Sequence, residues 1–278
     1  MIIGKKKLSF LLFLLPLNML VAQQPKAVTT DWEPSQSEGL YDCYAVNHDY
    51  CHYYIDVDLS SITTHKYMGV KYTATLQPGR NSLFLFKSGS WRYYHYRGNP
   101  TAKINAKHQY ALPIHPGDSV TITYNKGKLL FNLRHTSDTV YASRDGIVCN
   151  EEFIEKAIKG HTLFVYHNDG TFAHYGVLQK KMVKPGESVK TGTPIAIVYT
   201  DEEGARFFEF HIDFLDINKL EDRKSGGKHS ILNPFFHTKN HGVVRLEENT
   251  TYIGEITDEL IMQDMSKKEK AQYLKKKK

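Results

Sequence analysis

Phe207-Phe208-Glu209-Phe210-His211-Ile212-Asp213-Phe214 is the stretch that decides the fold. Apolar residues at 208, 210, 212 and 214 alternate with Glu209, His211 and Asp213. That period of two marks a β-strand with one face in a core. Same-face neighbours on a strand stand roughly 7 Å apart. A carboxylate, an imidazole and a second carboxylate therefore line one face, and Asp213 belongs to any groove beside it. The face is either a metal or acid–base site or the polar side that any half-exposed strand presents.

Upstream, residues 139–148 read as a strand, a turn built on Asp145-Gly146 and a return strand. Residues 162–167 and 171–175 read as strands joined by Asn168-Asp169-Gly170. The run 183–197 holds Gly186 and Gly192, which permit two tight bends between short strands. Residues 150–159 are the one helix-like stretch in this region, with Asn150 as cap and Phe153, Ile154 and Ile158 as an apolar side. Further upstream, 53–59 and 119–124 alternate at period two, and 69–76 and 82–87 flank the turn Gln77-Pro78-Gly79-Arg80. Short strands at this spacing predict a small sandwich. The aromatic run from Trp91 to Tyr96 reads as core plus edge strand rather than a binding face.

The predicted fold class is therefore mostly β. A β-sandwich-like block over 40–125 precedes a second β domain over 126–240. A helical, Lys-rich tail occupies 241–278, with Ile256, Leu260, Ile261 and Met265 at near-helical spacing. Residues 23–39 are polar, carry Pro25 and Pro34, and read as a linker. Residues 1–22 have the form of a secretory signal peptide. Lys5-Lys6-Lys7 precedes a short apolar run that Pro16 and Asn18 interrupt, and Ala22 closes it. Export to the periplasm or cell envelope is the expectation, with no transmembrane span after cleavage.

The formal charge of +6 is concentrated in that leader and in the lysines from Lys267 to Lys278, so the body between is slightly acidic. A nucleic-acid partner would need a basic, aromatic-laced surface on the folded part, and none is expected. Cys43, Cys51 and Cys149 show no zinc-finger spacing. They are either a Cys43–Cys51 staple plus a free thiol or three small buried hydrophobes.

The order of segments from Val140 to Phe214 resembles the lysostaphin (LytM-type) peptidoglycan metallopeptidases. That family's segments read V-Y-A-x-x-x-G-x-V, Y-x-H, V-K-x-G-x-x-V-x-x-G-x-x-I and H-x-H-F-E. Here they stand as 140–148, Phe172-Ala173-His174, 183–195 and Glu209-Phe210-His211-Ile212-Asp213. The resemblance covers roughly 80–100 residues, one domain in size. It implies a β-barrel-like peptidase fold with a groove over a zinc ion.

Carried over residue by residue, His211 matches the last zinc ligand. His174 matches the His that activates water or stabilises the oxyanion. Glu209 stands where the first His of H-x-H stands and can serve as a general base. The family's remaining ligands, a His and an Asp, lie upstream of the V-Y-A segment and would fall near Tyr124 and Phe131. Neither position holds the His or Asp the family uses, while Asn132 and His135 stand at spacings that do not match and Asp138 reads as a turn residue. Catalytic zinc normally keeps three protein ligands and one open position. The expectation is an incomplete site in which zinc is weakly held or absent.

Two ways to rebuild the site stay open. Glu209 or Asp213 could join His174 and His211, or His115 or His135 could enter from a rearranged loop. His161, His167, His229, His237 and His241 read as surface or loop histidines. Three functions follow. One is an exported peptidase-like protein, leaning away from enzyme, that binds peptidoglycan or an envelope protein. Another is an active zinc metalloendopeptidase cutting peptidoglycan cross-links. The last is a lipoyl-like adaptor suggested by the V-K-P-G-E run, which would need a modifiable lysine at a hairpin tip that this chain does not offer.

Overall fold

Phe208, Phe210 and Ile212 are fully buried, as their alternation requires, and the strand that carries them, Arg206–Leu215, lies inside an eleven-stranded sheet. The computed structural model describes residues 26–63, 70–125, 128–133, 137–153, 160–221 and 227–277. The expected leader lies outside them, as do residues 154–159, whereas Glu151–Phe153 forms a single 3-10 turn. No helix among the described residues is long and apolar enough to cross a membrane.

Arg206–Leu215 pairs antiparallel with Thr171–Lys181 on one side and with Lys128–Leu133 on the other. The sheet continues from Thr171–Lys181 to His161–Tyr166, and from Lys128–Leu133 to Ser119–Asn125 and Thr251–Ile253. Its main core holds Phe131 stacked on Phe208 at 5.0 Å between ring centres, with Phe210 edge-on to Phe131 at 5.8 Å. The mostly β architecture stands, but no closed barrel forms among the described residues.

The N-terminal block is built from two three-stranded sheets. Tyr41–Asn47 lies between Val28–Pro34 and Gly79–Phe86, and Tyr53–Asp58 lies between Lys71–Leu76 and Arg92–Arg97. The turn after Leu76 thus switches sheets, as a sandwich requires. Between the sheets lies a second core of Cys43, Ala45, Ile55, Val57, Leu76, Phe84 and Phe86, with Trp91 packed against it. This core also takes in Cys149, Phe164 and Phe172 from the eleven-stranded sheet. The two blocks share apolar side chains rather than meeting across a polar seam.

Four expectations are corrected. Residues 28–34 of the expected linker form a strand, because Val28 is fully buried and Trp32 packs edge-on to Tyr41 at 4.9 Å. Its edge position tolerates Pro34. The boundary expected at 125/126 falls inside a hairpin, since Ser119–Asn125 pairs with Lys128–Leu133. The strands around Asp145-Gly146 do not pair with each other. Thr139–Tyr141 joins Pro194–Thr200, and Gly146–Val148 joins His161–Tyr166 and Ser188–Val189. Asp145 instead accepts hydrogen bonds from the Thr191 N–H and hydroxyl and from Lys190 Nζ, at 2.8, 3.0 and 2.8 Å, and so closes the bend at Gly192. Finally, the tail expected to be helical from 241 opens with the strands Gly242–Val244 and Thr251–Ile253, and only then holds helices, Asp258–Met262 and Lys267–Lys276. Leu260 anchors the first in the body, and a capping box at Ser266 and Glu269 starts the second.

Arg144 secures the tail. It donates to both carboxylate oxygens of Asp264 at 2.8 Å each and to Asp169 at 2.8 Å. A different stress sits in the strand Thr171–Lys181, where Val177 has φ 60° beside a register shift in the pairing with His161–Tyr166. A β-branched residue in this left-handed region is strained by roughly 1–2 kcal/mol. Val177→Gly is expected to raise stability by about 1 kcal/mol after its own entropic cost. Urea unfolding checks this, and a destabilised variant would refute it.

Candidate functional site

His174 and His211 are direct cross-strand partners, with ring centres 4.1 Å apart and planes inclined at 37°. The register brings them together, since each lies on the polar face of its own strand. Asp213 follows His211 on that face. Its Oδ1 lies 3.1 Å from His174 Nε2 and its Oδ2 lies 3.9 Å from His211 Nε2. One donor atom from each of the three falls within 4.8 Å of the other two. Phe164 supports the cluster edge-on to His174 at 4.2 Å.

Burial lowers the pKa of His174, against the pull of Asp213. Burial and the neighbouring His174 ring push His211 down to about 3. Both imidazoles are therefore neutral near pH 7 and keep a free lone pair. Burial alone would raise Asp213, but His174, His229 and His211 around it hold its carboxyl well below the ordinary range. His174 Nε2 and Asp213 Oδ1 are buried, and neither makes an aligned hydrogen bond despite their closeness. Buried polar atoms are ordinarily satisfied.

Asp213 is only 8% exposed, although strand alternation would place it on the open face. The N-terminal block packs beside this cluster. Arg97 from the strand Arg92–Arg97 stacks its guanidinium over Phe164 at 4.2 Å and Phe172 at 5.1 Å. Its carbonyl accepts from His229 Nε2 at 2.9 Å. Arg97 Nε and one terminal nitrogen are buried without partners. Gly98 packs against Leu215 so closely that a Cβ there would fall 2.8 Å from the Leu215 side chain.

Glu209 lies outside the cluster. Its carboxylate accepts from Lys128 Nζ at 3.0 Å and Asn125 Nδ2 at 3.3 Å. If H-x-H-F-E is laid two residues further along, it falls on His211-Ile212-Asp213-Phe214-Leu215. That register keeps the motif's Phe and puts a carboxylate at the second His.

The strand Lys128–Leu133 decides the upstream ligands. Leu129, Phe131 and Leu133 enter the core, and Lys128, Leu130 and Asn132 take the other face. Phe131 is fully buried, and the Tyr124 hydroxyl donates to the Leu246 carbonyl at 2.7 Å. His115 is exposed beside Tyr141, and His135 lies outside the described residues.

Three histidines expected at the surface are not fully there. His229 and His237 are half-buried, and His167 is fully buried with Nδ1 2.7 Å from the Asp145 carbonyl. Burial, with Arg144 nearby, pushes His167 down to about 4. The unfolded chain takes up this proton as pH falls below about 6.5, and the folded one only near 4. Stability from this group is thus full above 6.5 and declines by about 3 kcal/mol as pH drops to 4. NMR titration of His167 with urea unfolding at pH 7 and 4.5 checks this, and a ring titrating near 6.5 would contradict it.

The donor set, two neutral imidazoles and an ionised carboxylate whose donor atoms converge within 4.8 Å, suits a divalent ion such as zinc. It is not the set that the resemblance implies. The surrounding charge opposes a further cation, because Lys128 and Arg97 both act on His211 in the sense of positive neighbours.

Residues 124–219 match the model of peptidase family M23, a span that contains His174, His211 and Asp213. This segment resembles the M23 peptidases. The match starts at Tyr124, within the hairpin that crosses the expected domain boundary. Solved structures similar to the chain include the M23 metalloprotease pseudoalterin from the deep sea. It shares 12% identity over 53% of this chain and 96% of its own, with a TM-score of 0.32. Csd3 of Helicobacter pylori shares 11% over 89% and 82%, at 0.26. A zinc-containing peptidase from Vibrio cholerae shares 18% over 62% and 52%, at 0.24. No curated protein matches the chain.

Proposed function

We propose that this chain acts at the cell envelope as an M23-type protein whose groove binds peptidoglycan peptides without cleaving them. The observation that carries this is the strand Lys128–Leu133, which sends Phe131 into the core and puts Lys128 beside Glu209 on the groove wall. The resemblance expects zinc ligands from this part of the chain. An ammonium in their neighbourhood, with Arg97 behind Asp213, disfavours a metal cation and suits a ligand that carries carboxylates. Peptidoglycan peptides present carboxylates and amines, which the Lys128–Glu209 pair, the two neutral imidazoles and Asp213 can meet with hydrogen bonds of matching sign. The signal-peptide-like leader supports export.

The test is co-sedimentation of the mature protein with purified peptidoglycan, together with zinc content by mass spectrometry after purification without chelator. The expected result is sedimentation that weakens about tenfold in Lys128→Ala, well under one zinc per chain, and no release of soluble fragments. A protein that stays in the supernatant would overturn the proposal.

A second reading is favoured by the convergence of donor atoms from His174, His211 and Asp213 within 4.8 Å of one another. His174, His211 and Asp213 would then hold zinc in a rebuilt site. A bound zinc would polarise a carbonyl and lower the pKa of a water. Near-stoichiometric zinc, lost in both His211→Ala and Asp213→Ala, together with cleavage of peptidoglycan, would establish it.

A further inference from the structure

Cys51 follows the strand Tyr41–Asn47 in the N-terminal block, and Cys149 follows Gly146–Val148 in the M23 segment. They are far apart in sequence but adjacent in space. Both are buried, at 0% and 2% exposure, and their sulfurs lie within 4.8 Å of each other and of an Asp49 oxygen. The backbones that carry them are tied together. Asp49 Oδ1 accepts from the Tyr50 N–H and from the Asn150 N–H, both at 2.7 Å. One carboxylate oxygen thus holds the residue before Cys51 and the residue after Cys149. Each cysteine is fixed again on its own side. Asn47 Nδ2 donates to the Cys51 carbonyl at 2.8 Å, and the Cys149 N–H donates to the Phe164 carbonyl at 2.9 Å.

We infer that Cys51 and Cys149 form a disulfide that joins the N-terminal block to the M23 segment. The inference extends the export proposal, since such bonds persist in oxidising compartments. A metal ion is the competing use of Asp49, Cys51 and Cys149, and two observations oppose it. Both Asp49 oxygens are already engaged, because Oδ2 accepts from the Tyr53 hydroxyl at 3.3 Å and from the Cys51 thiol at 3.6 Å. The buried Arg97 guanidinium also acts on both cysteines, so the site already holds one cation.

The step balances against a disulfide-bearing oxidant. Each cysteine gives up its proton, the S–S bond forms, and two electrons reduce the oxidant's disulfide to two thiols. Because both sulfurs are buried, the bond forms during folding, before the blocks close. Cys43, expected as a partner for Cys51, lies in the strand Tyr41–Asn47 opposite Phe84, outside the cluster. It is the thiol left over.

The test refolds the full-length mature chain in a mixture of oxidised and reduced glutathione and titrates thiols after denaturation. One free thiol per chain is expected, with peptide mapping that finds Cys51 linked to Cys149. Cys43→Ser should leave no free thiol and keep the link, and Cys149→Ser should expose two. Reduction of the linked protein should lower the melting temperature by roughly 10 °C, since the bond closes a long loop. Three free thiols, or a Cys43–Cys51 link, would overturn the inference. The assay uses purified protein, so a failure of export would leave its outcome unchanged, and a failure to oxidise would leave the peptidoglycan test unchanged.

Discussion

Arg144→Ala is expected to lower the unfolding free energy at pH 7 by about 3–5 kcal/mol. The Arg144 side chain is only 4% exposed, and it bridges Asp169 and Asp264, whose side chains are 10% and 13% exposed. Its forked contact with Asp264 and its contact with Asp169 neutralise two partly buried carboxylates. The truncation removes the cation and leaves both acids in place, which costs far more than the pair itself contributes. Burial alone would raise both acids, but Arg144 holds each below its ordinary pKa of 3.8. For depressed acids the stabilisation is present above that value and is lost as pH falls through the lowered one. The penalty of the substitution should therefore shrink as the carboxyls protonate in acid. Urea unfolding at pH 7 and pH 3.5 measures both effects, and Arg144→Lys should recover only part because an ammonium cannot reproduce the fork. A loss below about 1 kcal/mol would show that the carboxylates find other partners.

Phe210→Ala is the second large effect, again about 3–5 kcal/mol. Phe210 is fully buried between Glu209 and His211 on the strand that carries the site. Its ring meets Tyr175 at 5.1 Å and both Phe131 and Phe236 at 5.8 Å. Those neighbours come from other strands and cannot all close on the cavity. Phe210→Leu should cost less than half as much, because it keeps most of the volume. Urea unfolding of the two variants decides the matter, and equal losses would mean that ring packing is not the source.

The alternation over 207–214 made the core face of that strand legible before any coordinates, and the same rule applied to 128–133 would have singled out Lys128 as a groove residue. Period-two patterning says which face a side chain takes but not which partner strand it meets. His174 and His211 could each be placed on a polar face, yet their direct pairing depends on register. Asp213 was visible as a groove residue but not as a buried one, because its neighbour Arg97 comes from a different block. Asp145-Gly146 carried a hairpin signal. The carboxylate was drawn away to the Gly192 bend, and no local rule reports such a long-range partner. Phe131 was legible by composition alone, since a phenyl ring offers no metal ligand in any register, whereas the engagement of the Tyr124 hydroxyl by the Leu246 carbonyl needed the structure.

The shared core has a consequence for how this chain can be cut and inherited. Phe164 and Phe172 are packed by the N-terminal block, and Thr251–Ile253 supplies the strand beyond Ser119–Asn125. The span 124–219 therefore has no clean edge on either side. Excised alone, it would expose apolar rings where the sandwich sat and bare backbone where the outer strands paired. The M23-like segment here is not a portable cassette. It can be exchanged between proteins only together with the flanking segments that have grown around it.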